Sequence, residues 1–373
     1  MLLTSKVTLE NQRRRGCVAC QPVRVLSFKY APPPTPAQYQ RLVREVARGP
    51  QQLTPDQHVV SRVLLDQFAE PVGAKGERLV SSLNRAYIHA KPTKRGPAGC
   101  GKFRHFVRHA SDSSETAWMA TETRLRAALD AADNGTFFDQ PRYSDTVRDA
   151  IVLHLVRSIP MLLVSDETWR SRHAAHVDAW MRQGRDVLSW MHRTRFGWSP
   201  TSDQELQFMA EDLISGVAAQ MDRGVYFRVT VVERFRRFSR MLAHEPVRLC
   251  RPASGEFLIG DVPTLALRDG QLGTGPQDGL GLGNCDELVL PLGPRLMAVL
   301  GGGQGYTTIG VDEVDRYNTA QVRAVADYVY LRPGSGLETF ARSAVTSHWP
   351  NRIPDRLRQG DLPATFLRQP AAR

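Results

Sequence analysis

Two pairs of histidine and arginine in this sequence have a spacing that suits a shared helix face. His58 and Arg62 are four residues apart, and His154 and Arg157 are three apart. Side chains at these spacings are neighbours on a helix. An imidazole can act as a general base, and a guanidinium can hold an anionic group such as a phosphate. We therefore take these pairs as the first candidates for a functional site.

Two carboxylates are placed to complete such a site. Glu122 falls in the middle of a predicted helix over residues 113–132, and Asp261 follows a predicted strand over residues 257–260. Cations at the edge of a core are costly without carboxylates near them. We expect one pocket between the helices and the sheet, lined by the catalytic residues His58, Glu122 and Asp261 and the substrate-binding residues Arg62 and Arg157. Asn318 is a further substrate-binding candidate.

This residue set favours an enzyme that acts on an anion, and in its most specific form the enzyme hydrolyses phosphodiesters in nucleic acid or nucleotides. The histidine or a carboxylate would remove a proton, and the arginines would bind the phosphate. A histidine with one or two carboxylates can also bind a divalent metal, so a metal cofactor stays open. Two alternatives remain: a non-catalytic module that binds nucleic acid or a protein, and an ion network that only stabilises the fold.

Positive charge is concentrated in two segments of the chain. The sequence has 49 basic and 38 acidic residues, for a formal charge of +11 at pH 7, and most of the excess lies in residues 1–50 and 78–108. Concentrated basic segments attract phosphate backbones, so we expect nucleic acid or another phosphate-bearing ligand as the partner. A solvated arm and a basic loop would explain the same composition. The oligomeric state is left open.

The apolar stretches and the cysteines favour a cytoplasmic protein. The longest apolar stretch, residues 150–164, contains a histidine, an arginine and a proline and is too short to span a bilayer, so we expect no membrane contact. Five scattered cysteines, an odd number, favour a reducing compartment. Cys17 and Cys20 form a C-x-x-C pair, but a structural zinc site would need a second pair of ligands.

Residues 96–102 match the first seven positions of a Walker A loop, which binds nucleotide phosphates. The next position, where that loop has a serine or threonine for magnesium, is Phe103. The sequence indicates neither a buried strand before the segment nor a strong helix after it. We predict that this segment is not a phosphate-binding loop.

Helical patterns dominate the first two thirds of the chain, and short apolar runs that predict strands follow residue 247. The main predicted helices cover residues 37–47, 55–68, 113–132, 144–163, 166–192, 203–221, 226–242 and 311–326. This order is typical of an α+β fold, with a mostly helical body packed on one mixed or antiparallel β-sheet formed largely by the C-terminal half. We predict a basic, Pro-rich N-terminal extension over residues 1–50, a single α+β domain over residues 51–345 and a polar C-terminal tail over residues 346–373.

Together these motifs resemble a bacterial family catalogued as domain of unknown function 4238. The resemblance covers about residues 55–335 and follows the order of the family's motifs: the helix motif at residues 58–69, Glu122, His154 with Arg157, the strand end at residues 259–263, the Pro-Leu-x-Pro element at residues 291–294, and Asn318. Ile259 and Gly260 replace the two hydroxyl residues that precede the aspartate in the family. The resemblance implies the same fold class and the same candidate residues, and it brings no established activity.

Overall fold

The computed structural model describes residues 26, 31–47, 52–53, 56–72, 76–104, 106, 109–110, 112–222, 225–273, 282, 285–355 and 357. Cys17 and Cys20, most of the basic segment before residue 31, and the end of the C-terminal tail lie outside the described residues.

Helices form most of the molecule between residues 112 and 241. Across the described ranges there are ten: α1 (Pro36–Ala47), α2 (Arg62–Gln67), α3 (Asp112–Asp133), α4 (Pro141–Val156), α5 (Ile159–Gln183), α6 (Arg185–Phe196), α7 (Asp203–Asp222), α8 (Val225–Met241), α9 (Val311–Ala324) and α10 (Leu337–Ala344).

Strands come from both ends of the chain. They are β1 (Gln52–Leu53), β2 (Asp56–His58), β3 (Glu70–Val72), β4 (Glu77–Asn84), β5 (Thr93–Arg95), β6 (Lys102–Arg104), β7 (His109–Ala110), β8 (Val247–Pro252), β9 (Ile259–Gly260), β10 (Leu265–Arg268), β11 (Gln271–Leu272), β12 (Glu287–Gly293), β13 (Leu296–Leu300), β14 (Gly305–Ile309) and β15 (Tyr328–Leu331).

The α+β class is confirmed, and the strands form more than the one sheet that we expected. A mixed sheet has the order β11-β10-β12-β13-β8-β14, in which only β14 is parallel to its neighbour. A second sheet has the order β3-β4-β15-β9, with β5 also paired to β4. It is separate because β4, from the N-terminal half, pairs with β15 and not with the mixed sheet. Two short pairs, β1 with β7 and β2 with β6, complete the described strands.

The main core lies where the helices cover the mixed sheet. Every residue of β13 is buried, and so are Leu64 and Leu65 of α2 and Phe68 directly after it, each with 0% exposure. Strands that are buried on both faces read as continuous apolar runs, as β12 and β13 do. Burial of one large apolar side chain contributes about 1.5–3 kcal/mol. The packed face of α2 therefore fixes the residues that immediately precede this helix.

The chain breaks between α4 and α5, although the sequence favoured one helix over residues 144–163. Arg157 leaves the helical conformation, with φ −91° and ψ 54°. Ser158 then caps α5 by accepting a hydrogen bond from the backbone N–H of Met161, and Pro160 occupies the first turn. Arg157 thus lies at a corner between two helices, not on a helical face shared with His154.

His58 also lies on a different element from the one predicted. Instead of a helix over residues 55–68, the chain forms β2, a turn, and then α2 from Arg62 onward. β2 pairs antiparallel with β6, and His58 lies opposite Lys102. This pairing joins segments that are far apart in sequence, so local helix signals could not reveal it.

Segments expected to lie outside the single domain contact it. In the N-terminal segment, α1 packs on α8 through Leu42 and Val46, which form a small apolar cluster with Val229. In the C-terminal segment, the indole N–H of Trp349 donates to the backbone oxygens of Val325 and Ala326, at 3.2 and 3.0 Å. A search of the described helices finds none with the length and hydropathy to cross a membrane.

Candidate functional site

A network of hydrogen bonds centred on Glu122 connects α3 to the starts of α2 and α5. Glu122 Oε1 accepts hydrogen bonds from Ser61 Oγ at 2.8 Å and from Arg157 Nη2 at 2.9 Å. The Arg157 guanidinium also stacks on Trp118, with its central carbon 5.1 Å from the ring centroid. The Arg157 side chain is 6% exposed and that of Glu122 is 24% exposed, so the network is open to solvent at the carboxylate.

The turn between β2 and α2 is held from two sides. On one side, the Gly101 carbonyl accepts hydrogen bonds from the N–H groups of Val59 and Val60. On the other, the N–H of Ser61 donates to His154 Nε2 at 3.1 Å. The backbone N–H of Ser61 is therefore held by His154, and its side-chain hydroxyl is held by Glu122. We call His58, Ser61, Glu122, His154 and Arg157 the Glu122 cluster.

His154 is a buried supporting residue of this cluster. Its Nδ1 lies 2.8 Å from the Ala150 carbonyl and therefore carries the proton, because Nε2 already accepts from Ser61. Burial and, to a smaller extent, the positive charge of Arg157 lower the pKa of His154 to about 4, although the Ala150 hydrogen bond and the charge of Glu122 act in the opposite direction. The imidazole is neutral at physiological pH and serves to position the turn.

His58 has the properties of a general base. Burial lowers its pKa below the usual value, a hydrogen bond with the Ala98 backbone partly offsets this, and the positive charges of Lys102 and Arg157 lower it again. The ring is therefore neutral near pH 7 and can accept a proton. Its Nε2 is buried and has no hydrogen-bond partner among the described residues.

The electrostatics of the cluster suit an anion. Burial raises the pKa of Glu122, but Arg157, the Ser61 hydroxyl and His154 outweigh burial and lower it overall, so Glu122 is ionised. The positive charges of Arg157 and Lys102 both act on His58, whereas Glu122 pairs with Arg157 alone among the described cations. Arg157 Nε is a further buried donor that lacks a partner in the described part of the chain. A bound anion would balance the second positive charge and use this donor.

Asp261 lies outside the Glu122 cluster and has a structural role. Its carboxylate accepts the backbone N–H groups of Ala326, Asp327 and Tyr328 at 2.7 to 2.9 Å, where α9 leads into β15. Burial raises the pKa of Asp261 to about 7 and Asp327 acts in the same direction, while the three N–H groups act against them. All three donors are satisfied by this one side chain.

Asn318 and Arg62 also lie outside the network. The Asn318 amide bridges two backbone groups, accepting the N–H of Leu258 at 3.0 Å and donating to the carbonyl of Glu256 at 2.8 Å. Arg62 is the exposed first residue of α2. The structure therefore brings together His58, Glu122 and Arg157, and it corrects the expectation that Arg62 and Asp261 line the same pocket.

Sequence reasoning missed three contributors to this region. Ser61 immediately precedes α2, a position typical of a helix cap, and this was the signal that could have identified it. Trp118 and Lys102 carried no such signal, because their roles depend on contacts between distant segments.

The segment at residues 96–102 differs from a phosphate-binding loop in its surroundings. Lys102 begins the strand β6, where a Walker A loop would continue into a helix. Gly101 has φ +64° and donates its N–H to the Tyr330 hydroxyl at 2.9 Å. Gly101 of this segment therefore supports the turn that follows His58.

A separate open cleft of about 390 Å³ lies between α2, α3 and the β12–β13 turn. Its charged groups include Glu256 and Arg332. The Nε and Nη2 atoms of Arg332 donate to the two carboxylate oxygens of Glu256 at 2.7 to 3.0 Å. Arg295, also in the lining, donates to the carbonyls of Gly255 and Pro252. Because these groups are already paired, the cleft is a weaker candidate than the Glu122 cluster.

Comparisons with protein-family models, with curated proteins and with solved structures give no match to this chain. Within the described ranges there is also no group of three or more histidine, cysteine, aspartate or glutamate residues that could hold a metal ion. The chemistry considered below is that of the side chains of the Glu122 cluster and of Lys102.

Proposed function

We propose that this protein is an enzyme that binds an anionic substrate at the Glu122 cluster and hydrolyses a phosphodiester. One observation carries the proposal: a neutral histidine with an unpartnered Nε2 lies in the same electrostatic environment as two cations, Arg157 and Lys102. General-base catalysis requires a neutral base, and phosphoryl transfer requires positive charge around the transferred group.

In the proposed reaction, His58 Nε2 removes a proton from a water molecule as the water oxygen attacks phosphorus. The bond between phosphorus and the leaving oxygen breaks, and the proton on His58 passes to that oxygen. Arg157 and Lys102 bind the non-bridging oxygens, whose negative charge grows in the transition state. Glu122 holds the Arg157 guanidinium in place and is a positioning residue, whereas we expected it from the sequence to be catalytic.

Hydrolysis of bis(4-nitrophenyl) phosphate and of mixed DNA and RNA substrates tests this function. We expect His58→Ala to lower kcat by about 10²–10⁴-fold, the range for loss of a general base, while the fold is retained. His89→Ala, which changes an exposed histidine after β4, should have no effect. Because the pKa of His58 is lowered, activity should fall only below pH 6.5. Equal activity in the two variants would refute the proposal.

Arg157→Met and Lys102→Met separate anion binding from proton transfer. Each should raise KM and weaken inhibition by inorganic phosphate, because each removes one of the two cations. Lys94→Met is the matched control, since Lys94 is an exposed lysine on β5.

A non-catalytic module that binds nucleic acid is the second candidate function. All three residues of β5, Thr93, Lys94 and Arg95, are exposed, and Lys91 next to this strand is exposed as well. Solvent-facing cations of this kind bind phosphate backbones without catalysis. This function predicts that Lys91→Met with Lys94→Met weakens nucleic-acid binding and that His58→Ala does not. Another basic residue of the segment 78–108, Arg85, is buried and donates to the carbonyls of Val322, Thr346 and His348.

The resemblance to the family of domain of unknown function 4238 also stays a proposal. It is supported by the proximity of His58, Glu122 and Arg157, which stand at three separate family motifs. The cytoplasmic location inferred from the cysteines is likewise a proposal, and cell fractionation tests it directly.

A further inference from the structure

Arg228 on α8 is a buried cation, and none of the described residues forms an ion pair with it. The residue is 1% exposed. Its Nε, Nη1 and Nη2 atoms have no hydrogen-bond partner within the described ranges. A guanidinium has five N–H donors and stays protonated in proteins. Buried polar groups normally have partners, and an unpaired buried charge is strongly destabilising.

The position of Arg228 on α8 places it at a boundary between two apolar contacts. Phe227, the residue before it, belongs to the main core and lies 5.3 Å from the Phe106 ring. Val229, the residue after it, packs with Leu42 and Val46 of α1. Successive residues of a helix point about 100° apart, so Arg228 points between the core and α1.

Other arginines of α8 have interactions that Arg228 lacks. Arg236 pairs with Glu45 of α1 at 2.9 Å, and Arg237 pairs with Glu233 at 3.3 Å. Arg234 contacts the Met161 sulfur. For Arg228, burial is the cause that lowers its pKa, to about 10, so it remains charged at neutral pH. The N–H groups of a guanidinium form a planar fork whose geometry suits two oxygens of one phosphate or carboxylate group.

We propose that Arg228 anchors an oxyanion-binding site at the seam between α8 and α1, separate from the Glu122 cluster. The ligand group presents two oxygens to the guanidinium fork and supplies the missing negative charge. The shared chemistry is that of a phosphate or a carboxylate. Because α1 packs against α8 at this seam, the ligand reaches Arg228 when α1 moves away and Leu42 and Val46 separate from Val229.

Thermal unfolding of the full chain in sodium phosphate, sodium acetate and sodium chloride, at one pH and one ionic strength, tests this site. A ligand that binds only the folded state raises Tm, and saturation near one hundred times Kd should give a rise of about 3–5 °C. We expect this rise for the wild type and for Arg240→Met, which changes an exposed arginine of the same helix. Arg228→Met should show a smaller rise, limited to the part that comes from phosphate binding at the Glu122 cluster. A response to phosphate alone identifies a phosphate group, and a response to both salts identifies a general oxyanion site.

Two further variants keep the test decisive. Arg228→Lys retains the charge but loses the fork, so its response should be smaller than that of the wild type. Combining Arg228→Met with Arg157→Met, which weakens phosphate binding at the Glu122 cluster, should remove the remaining rise, and this separates the two sites. The proposal is overturned if the wild type shows no oxyanion-specific rise in Tm, or if Arg228→Met and Arg240→Met respond equally. In chloride, Arg228→Met should melt at or above the wild-type temperature, because an unpaired charge is removed.

Discussion

His154 stays neutral in the folded protein because both of its ring nitrogens are used, one as an acceptor for Ser61 and one as a donor to Ala150. Its pKa is about 4 when folded and near 6.5 when unfolded. Between pH 4 and pH 6.5, His154 is therefore protonated in more of the unfolded chains than of the folded ones. The stability that neutral His154 provides is therefore fully present above about pH 6.5 and is lost as pH falls towards 4, by roughly 3 kcal/mol.

We predict that His154→Gln removes this pH dependence. A glutamine amide can accept from Ser61 and donate to Ala150 but cannot titrate. The difference in unfolding free energy between the wild type and this variant should shrink by roughly 3 kcal/mol from pH 7 to pH 4. Urea denaturation at a series of pH values measures the difference. A difference that is constant with pH would show that His154 does not titrate as proposed.

Asp261→Asn should lower stability without acting on the Glu122 cluster. The asparagine oxygen can still accept, but its amide nitrogen is a donor and would face the N–H groups of Asp327 or Tyr328. We expect a loss of about 2–5 kcal/mol in urea denaturation, because buried donors lose a charged acceptor. Asp130→Asn, at an exposed site on α3, should change stability by less than about 0.5 kcal/mol. If the Asp261 variant instead stays fully stable and loses turnover, the structural role is wrong.

At the scale of single elements, Gly101 determines where His58 can lie. It has φ +64°, and a Cβ atom added there would lie 2.9 Å from Val60 Cβ and from Leu65 Cδ1. We predict that Gly101→Ala destabilises the protein by about 2–4 kcal/mol, from backbone strain and overpacking together. Gly99→Ala is the control, because its added Cβ would make only an ordinary contact of 3.8 Å with Arg95. Urea denaturation of the two variants should separate them clearly.

Elements with strong local signals were predictable from the sequence. The helices α3, α7 and α8 begin and end within one residue of their expected limits, and the strands β8, β12 and β13 lie in the region after residue 247 where strands were expected. Their apolar periodicity arises from burial on one or two faces. The expected helix at His58 was wrong because β2 pairs with β6, and β14 was missed because its central residues are exposed and its parallel partner is distant.

The parts of the candidate site that could be predicted were likewise those with a local sequence signal, and the parts that depend on distant contacts could not be predicted. Glu122 and Arg157 were identified through their charge and the cost of burying it, and they form an ion pair. Asp261 was assigned to the site because carboxylates at strand ends are common in active sites. Its use by three backbone N–H groups depends on how α9 meets β15, which no local pattern encodes.

At the scale of the whole molecule, Arg85 joins the second sheet to the C-terminal segment. Its guanidinium donates to Val322 in α9 and to the carbonyls of Thr346 and His348. We predict that truncation after Val345 costs about 3–5 kcal/mol, because Arg85 loses two acceptors while it stays buried. Arg85→Met in the full-length chain should cost a similar amount.

The double variant provides the control for this prediction. If Arg85 and the C-terminal segment act through one shared set of hydrogen bonds, combining Arg85→Met with the truncation should cost much less than the sum of the two single changes. Additive losses in urea denaturation would show that the segment stabilises the fold by an unrelated contact.

The second sheet also sets the time at which this protein can finish folding on the ribosome. Arg85 follows β4 directly, and 237 residues separate it from Val322, shortly before β15. At a synthesis rate of 5–20 residues per second, β4 waits about 10–50 s for its partner strand. During that interval the edge of β4 at residues 81–84, which includes the apolar Leu83, lacks its partner strand β15. Nascent chains should therefore depend on chaperones until residue 331 has emerged from the ribosome.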